Sequence, residues 1–233
     1  MSVRPGFTVI AVAAALVAAP ASHASSGAPV QLPAAGVLLA DRVAARSQPD
    51  AGSRVVKAIH ELGGSGLQVF LAVRAARDSS GAWWYELSLP GRPNGGRGWV
   101  PGGVVDLRTV PNRIVVHVRA RTLEVQRIAD GKVLLRTVVA VGKQSTQTPI
   151  GRDFYVLARY ASEDPFYGPF VLQTSAYSGL RDWPGGGLVG IHGTDEPGLL
   201  GDAVSHGCVR VSNQVAVALE RLAPLGTPVD LLR

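Results

Sequence analysis

Cysteine is almost missing from this chain: Cys208 is the only one in 233 residues. That excludes an internal disulfide and the paired-cysteine metal sites. Lysines are few, and the positive charges are scattered with no run of five or six, so a formal charge of +6 is not the footprint of a nucleic-acid partner. It suits an anionic surface such as a cell wall. The apolar run near the start, Phe7 to Ala19, has thirteen residues, short of the about 20 that a helical bilayer span takes. Internal repeats, heptads and low-complexity tracts are also missing.

What is present begins with a leader. Arg4, the apolar run, and the small residues Ser22 and Ala24 stand in the order of a secretory signal cut after Ala24. Residues 1–24 are therefore expected to be a signal peptide, with no cysteine to lipidate and no arginine pair for twin-arginine export. The mature chain, with a charge of about +5 once Arg4 is lost, is expected in the cell envelope, periplasm or wall. It would meet the membrane only transiently, through the leader. In such an oxidising compartment a thiol usually pairs. Cys208 is then buried and inert, bridged to another chain, or reactive.

High Gly and Pro, 28 and 16 residues, favour short strands and tight turns. Residues 25–36 read as a linker. From 37 to 108, VVKAIHEL, LQVFLAV, AWWYELSL and GWVPGGVVDL are strand-like pieces separated by turn signals. Four or five strands of a small β-barrel are expected, with Trp83, Trp84 and Trp99 supplying much of its core. A second, mainly β unit spans 111–233. Ile114, Val116 and Val118 alternate with polar residues, and a hairpin should turn at Asp130-Gly131. One helix is expected near the C-terminus, capped by Ser212 or Asn213, with Val215, Leu219 and Leu222 as its stripe. Trp183, beside Pro184 and three glycines, is expected in a loop over a cleft.

The segment IHGTDEPGLLGDAVSHGCVRVS, 191–212, combines the cysteine with two of the five histidines. A free thiol titrates near about 8.5, so Cys208 becomes a nucleophile only beside a base. In an extended chain the tips of His206 and Cys208 diverge by roughly 6–7 Å, too far for a direct hydrogen bond. His192, sixteen residues earlier at the end of GLVGIH, is the preferred base if the intervening segment folds back. Gly207 permits a tight turn and leaves the amides of Gly207 and Cys208 facing a developing oxyanion. Arg210 is placed to hold a carboxylate.

These residues resemble a known family. HGT…SHGCVR looks like the signature of the L,D-transpeptidases, the YkuD-type catalytic domains, and TPIG at 148–151, FYGPF at 166–170 and LAPLGTPVDL near the end are similar too. The resemblance covers about 111–233. It implies Cys208 as nucleophile, His192 as general base, and the Gly193 carbonyl as the group orienting the imidazole, without a metal or other cofactor. Ser205, His206, Arg210, Thr194 and Tyr167 are the expected substrate contacts. The position of His206 is Lys in some relatives, and a branch of the family has Asn at the position of Arg210, so that branch's contacts do not transfer. The implied partners are peptidoglycan stem peptides, as donor and acceptor. Cys208 would attack the third-residue carbonyl of a tetrapeptide stem, expel D-alanine and pass the acyl group to a diamino acid amine, giving a 3→3 cross-link. Acylation by carbapenems is implied as well. An L,D-carboxypeptidase with water as acceptor, and a non-catalytic wall-binding protein, remain the alternatives. GAWWYELSLPGRPNGGRGWVP resembles the end of bacterial SH3-like modules.

Overall fold

The computed structural model describes residues 30–60, 68–182 and 184–233; the expected leader and Trp183 lie outside the described residues. The protein is mainly β, with one α-helix among the described residues.

Seven strands form the N-terminal unit: β1 (Ala34–Leu38), β2 (Arg42–Arg46), β3 (Val55–His60), β4 (Val69–Arg77), β5 (Trp83–Leu89), β6 (Gly96–Pro101) and β7 (Val105–Thr109). They pair antiparallel in the order β3-β2-β6-β5-β4-β1-β7. The strand count exceeds the expected four or five. A 3-10 turn at Gly102–Val104 breaks GWVPGGVVDL into β6 and β7, and β1 reaches back into the expected linker. Residues 34–36 of that linker pair with both β4 and β7, because Ala34 and Ala35 are small enough to be buried between two strands.

Two of the three tryptophans, Trp84 and Trp99, belong to the buried core but not to its main cluster. Alternation along β5 sends Tyr85, Leu87 and Leu89 to the face shared with Val43, Ile59, Phe70 and Val100, and that face forms the hydrophobic cluster. Trp84 and Trp99 are buried but stand outside it. The indole of Trp84 donates to Asp78 Oδ2 at 2.9 Å, and the Arg74 guanidinium lies 5.5 Å from the Trp99 ring centre.

The second unit contains β8 (Asn112–His117), β9 (Thr122–Arg127), β10 (Val133–Val138), β11 (Val141–Gly142), β12 (Gly151–Ala161), β13 (Phe170–Tyr177), β14 (Leu188–His192), β15 (Ala203–Ser205), β16 (Val209–Arg210), α1 (Asn213–Leu222) and β17 (Pro228–Leu232). Eight of these strands build one mixed sheet, ordered β10-β9-β8-β17-β12-β13-β14-β16, while β11 and β15 pair separately in parallel. The β9–β10 hairpin turns where Asp130-Gly131 predicts, with Gly131 at a φ of 70°. The last strand, β17, inserts between β8 and β12, parallel to β8, so the two ends of this unit close one core around Ile114, Val116, Phe154, Ile191 and Leu231. Ser212 caps α1 by accepting from the Val215 amide at 3.3 Å. Ala216 and Leu219 point into the core, and Val215 and Leu222 flank them half-buried.

The two units touch directly. Ser88 donates to the Asp153 carbonyl at 2.8 Å, and Arg97 pairs with the Asp153 carboxylate at 2.9 Å.

Candidate active site

The site is made at the edge of the large sheet, where β16 adds in parallel to β14. The register pairs Ile191 with Val209 and His192 with Arg210, and the Val211 amide donates to the His192 carbonyl at 2.8 Å. Residues eighteen apart in sequence thus become neighbours across one ladder. The pairing sets Cys208 beside Gly190. The Gly190 amide donates to Cys208 Sγ at 3.3 Å. A side-chain carbon at Gly190 would stand 3.5 Å from His192 Cδ2 and 3.7 Å from Cys208 Sγ, so imidazole and thiol converge over this glycine. The segment 195–202 folds back between the two strands, as the choice of His192 as base requires.

His192 is fully buried, and its Nδ1 lies 2.6 Å from the Gly193 carbonyl. A carbonyl only accepts, so Nδ1 carries the proton and Nε2 keeps its lone pair. Burial pulls the imidazole pKa down to about 4; the Gly193 carbonyl opposes this, and the charge of Arg210 adds to it. Burial pushes the half-buried Cys208 thiol up, against the smaller lowering from the Gly190 amide and Arg210. At neutral pH the pair is therefore a thiol and a neutral imidazole.

Aromatic rings wall the imidazole. Tyr167 stands edge-on with its ring centre 5.1 Å away, and Phe166 lies tilted at 5.9 Å. Both come from a short 3-10 turn, Pro165–Tyr167, capped by Asp164. The Arg210 guanidinium lies 4.8 Å from the Phe166 ring centre. It is buried, and it already holds a carboxylate: Nη1 donates to Glu196 Oε2 at 2.8 Å. Its partner is internal, from the turn after His192.

Three expectations about single atoms change. The Gly207 amide does not face an oxyanion, because it donates to Ser205 Oγ at 3.1 Å. The Cys208 amide has no acceptor among the described residues. Ser205, expected as a substrate contact, is buried, and its hydroxyl donates to the Cys208 carbonyl at 2.6 Å, stapling the turn that carries Cys208. Thr194 is likewise buried. Its amide donates to Asn213 Oδ1 at 2.8 Å, and its hydroxyl accepts from the Glu196 amide at 3.0 Å, so it shapes the turn behind His192. His206 sits half-buried between β15 and β16. Among the described residues no group of His, Cys, Asp and Glu is assembled to hold a metal.

Other residues that the sequence does not single out as functional support the site. Thr148 Oγ1 accepts from the Gly142 amide at 2.9 Å and donates to the Gly207 carbonyl at 3.0 Å. Thr146 donates to the Ser205 carbonyl at 2.9 Å. Asn213, visible in the sequence only as a possible helix cap, uses its side chain to fix the Gly193-Thr194 backbone. Gly207 itself has a φ of 119°, a conformation glycine adopts without penalty. A Cβ there would meet Ser178 Cβ at 2.8 Å. The TPIG motif is the one sequence signal that points to Thr148.

A family model, described as the YkuD L,D-transpeptidase catalytic domain, matches residues 111–231. The Bacillus subtilis (strain 168) protein provisionally named L,D-transpeptidase YkuD is 34% identical over 146 residues, 63% of this chain and 81% of that protein. Among solved structures, the Enterococcus faecium L,D-transpeptidase C442S mutant is 23% identical with a TM-score of 0.42, over 55% of this chain and 56% of that one; this chain spans little more than half its length. An L,D-transpeptidase from Mycobacterium smegmatis is 20% identical with a TM-score of 0.46, over 71% of this chain and 91% of that one. These backbone likenesses are loose, whereas the family match covers the second unit up to residue 231, with His192 and Cys208 inside it. On that match, the chain belongs to the YkuD family of L,D-transpeptidase catalytic domains.

Proposed function

We propose that this protein is an exported peptidoglycan L,D-transpeptidase that forms 3→3 cross-links by cysteine acyl transfer in the cell envelope. The observation that carries this reading is the convergence of His192 and Cys208 over Gly190, with Nδ1 tied to the Gly193 carbonyl so that Nε2 is the free base. In the first half-reaction Nε2 takes the thiol proton and Sγ bonds to the carbonyl carbon of the third stem residue. The Cys208 amide donates to the resulting oxyanion. The C–N bond to D-alanine then breaks, and the imidazolium returns its proton to the leaving amine. In the second half-reaction the side-chain amine of a neighbouring stem attacks the thioester, Nε2 takes a proton from it, and the thiol is regenerated as the amide forms. The same attack on a carbapenem opens the ring, with the lactam nitrogen taking the proton.

Tyr167 and Phe166 wall the imidazole, and Tyr167 remains the expected residue for contact with the stem. Arg210 acts first on Glu196, so a stem carboxylate would meet an ion pair and not a lone cation.

The test incubates residues 25–233 with a disaccharide-tetrapeptide and resolves products by mass spectrometry, beside a Cys208→Ala control. A cross-linked dimer with released D-alanine, absent in the control, is the expected outcome. Tripeptide monomer alone would replace transpeptidation by L,D-carboxypeptidase trimming. No Cys208-dependent product would leave a wall-binding protein.

A further inference from the structure

The N-terminal unit reaches the nucleophile turn by an unbroken chain of contacts. Its β5–β6 loop, residues 90–95, grips the backbone that leaves β13 and the backbone that enters β14. Arg92 Nη2 reaches the carbonyls of Ser178 at 2.9 Å, Leu180 at 2.6 Å and Gly186 at 3.2 Å. Its guanidinium lies 4.5 Å from the Tyr177 ring centre. Asn94 pairs both ways with Tyr177, donating from Nδ2 to its carbonyl at 2.8 Å and accepting from its amide at 2.9 Å. The gripped backbone is otherwise closed by Ser178, which donates from its amide and hydroxyl to the Gly187 carbonyl at 2.8 and 3.1 Å. Gly187 must be glycine: its φ is 79°, and a Cβ would collide with the Leu180 carbonyl oxygen that Arg92 holds. Ser178 in turn packs on Gly207, where a Cβ would meet Ser178 Cβ at 2.8 Å. The next amide along the chain is that of Cys208.

We propose that Arg92 and Asn94 are positioning residues for acyl transfer: by fixing Tyr177 and Leu180 on either side of it, the N-terminal unit holds Ser178 against Gly207, and through Gly207 it aims the Cys208 amide at the oxyanion. The inference rests on the acyl-transfer reading above. It gives the N-terminal unit a part in the chemistry of the second unit. The physical reason is that an oxyanion donor must be held in direction before the reaction, and displacements of about 1 Å cost up to about a hundredfold in rate. The carbonyls of Ser178, Leu180 and Gly186 take their direction from Arg92, and Asn94 fixes Tyr177 immediately before them.

The experiment compares two reactions of Cys208 in residues 25–233, both followed by intact mass. Acylation by the disaccharide-tetrapeptide, and in parallel by a carbapenem, passes through an oxyanion. Alkylation by iodoacetamide is displacement at a saturated carbon and uses the thiol and its base alone. Arg92→Ala and Asn94→Ala are each expected to slow maximal acylation about tenfold with little change in the half-saturating concentration. Alkylation should stay within about twofold, and Arg92→Lys should recover part of the loss. If Arg92→Ala does not fold, Asn94→Ala and Arg92→Lys carry the comparison. Unchanged acylation in the alanine variants would overturn the proposal, as would parallel loss of acylation and alkylation. A wild-type chain that alkylates normally but is acylated by neither probe would instead remove the acyl-transfer reading, and this inference with it.

Discussion

The burial of His192 can be read out by acid. An ordinary histidine titrates near 6.5, whereas this imidazole, closed in by β14, Tyr167 and the Gly193 carbonyl, is pulled down to about 4. Two consequences separate on the pH axis. The first concerns rate: Nε2 remains the base until the folded imidazole protonates, so the rate of Cys208 acylation should have no acid limb near pH 6.5 and should fall only as pH approaches 4. The second concerns stability. Above pH 6.5 neither the folded nor the unfolded histidine binds a proton. Between 6.5 and 4 the unfolded histidine does and the folded one does not, so stability declines as pH falls through this window and the contribution is constant below it. The full loss is on the order of 3 kcal/mol. Other groups titrate in the same range, so the measurement is a difference: urea unfolding of wild type and His192→Gln at pH 7 and at pH 4.5. The variant should lack most of the pH-dependent loss. An acid limb near 6.5 in the acylation profile of the free protein, together with equal pH-dependent losses in both chains, would refute the burial argument and show a His192 imidazole that titrates like an exposed one.

Thr148→Val keeps the shape of a buried side chain but leaves the Gly142 amide and the Gly207 carbonyl without their partner. It should lower stability by about 3 kcal/mol in urea unfolding, with Thr148→Ser within about 1 kcal/mol of wild type. Gly207→Ala places a Cβ 2.8 Å from Ser178 at a φ of 119°. It should cost about 2 kcal/mol or more and reduce carbonyl acylation far more than iodoacetamide alkylation, by intact mass. Asn213→Ala removes the acceptor of the Thr194 amide; a drop of about 1–3 kcal/mol in unfolding is expected together with slower acylation, and Asn213→Asp, which keeps the acceptor oxygen, should recover most of both.

Strand-rich architecture, the hairpin at Asp130-Gly131 and the capped helix α1 were all legible in the chain, because each rests on local physics: alternation, turn residues or a capping hydroxyl. The errors share one cause. Trp84 and Trp99 are large and apolar, yet which face of a strand points inward is set by the sheet packed against it, and in β5 that face belongs to Tyr85, Leu87 and Leu89. Ser205 and Thr194 stand beside the nucleophile and the base in sequence, yet their hydroxyls turn inward to backbone groups left unpaired by the turns they occupy. The residues 25–36 look like a linker until β4 and β7 offer their edges to Ala34–Gly36.

The sequence by itself determined the family and singled out the candidate pair, one cysteine in SHGC and one histidine ending GLVGIH, because both stand in one short motif-bearing segment. Only the tertiary structure decided how that pair is held. The parallel register of β14 and β16 sets the thiol over Gly190, Glu196 occupies Arg210, and Arg92 and Asn94 grip backbone more than eighty residues further along the chain. Hydrogen-bond partners this far apart carry no local pattern. A carbonyl accepts from whatever donor the fold brings to it, and the chain does not record which donor that will be.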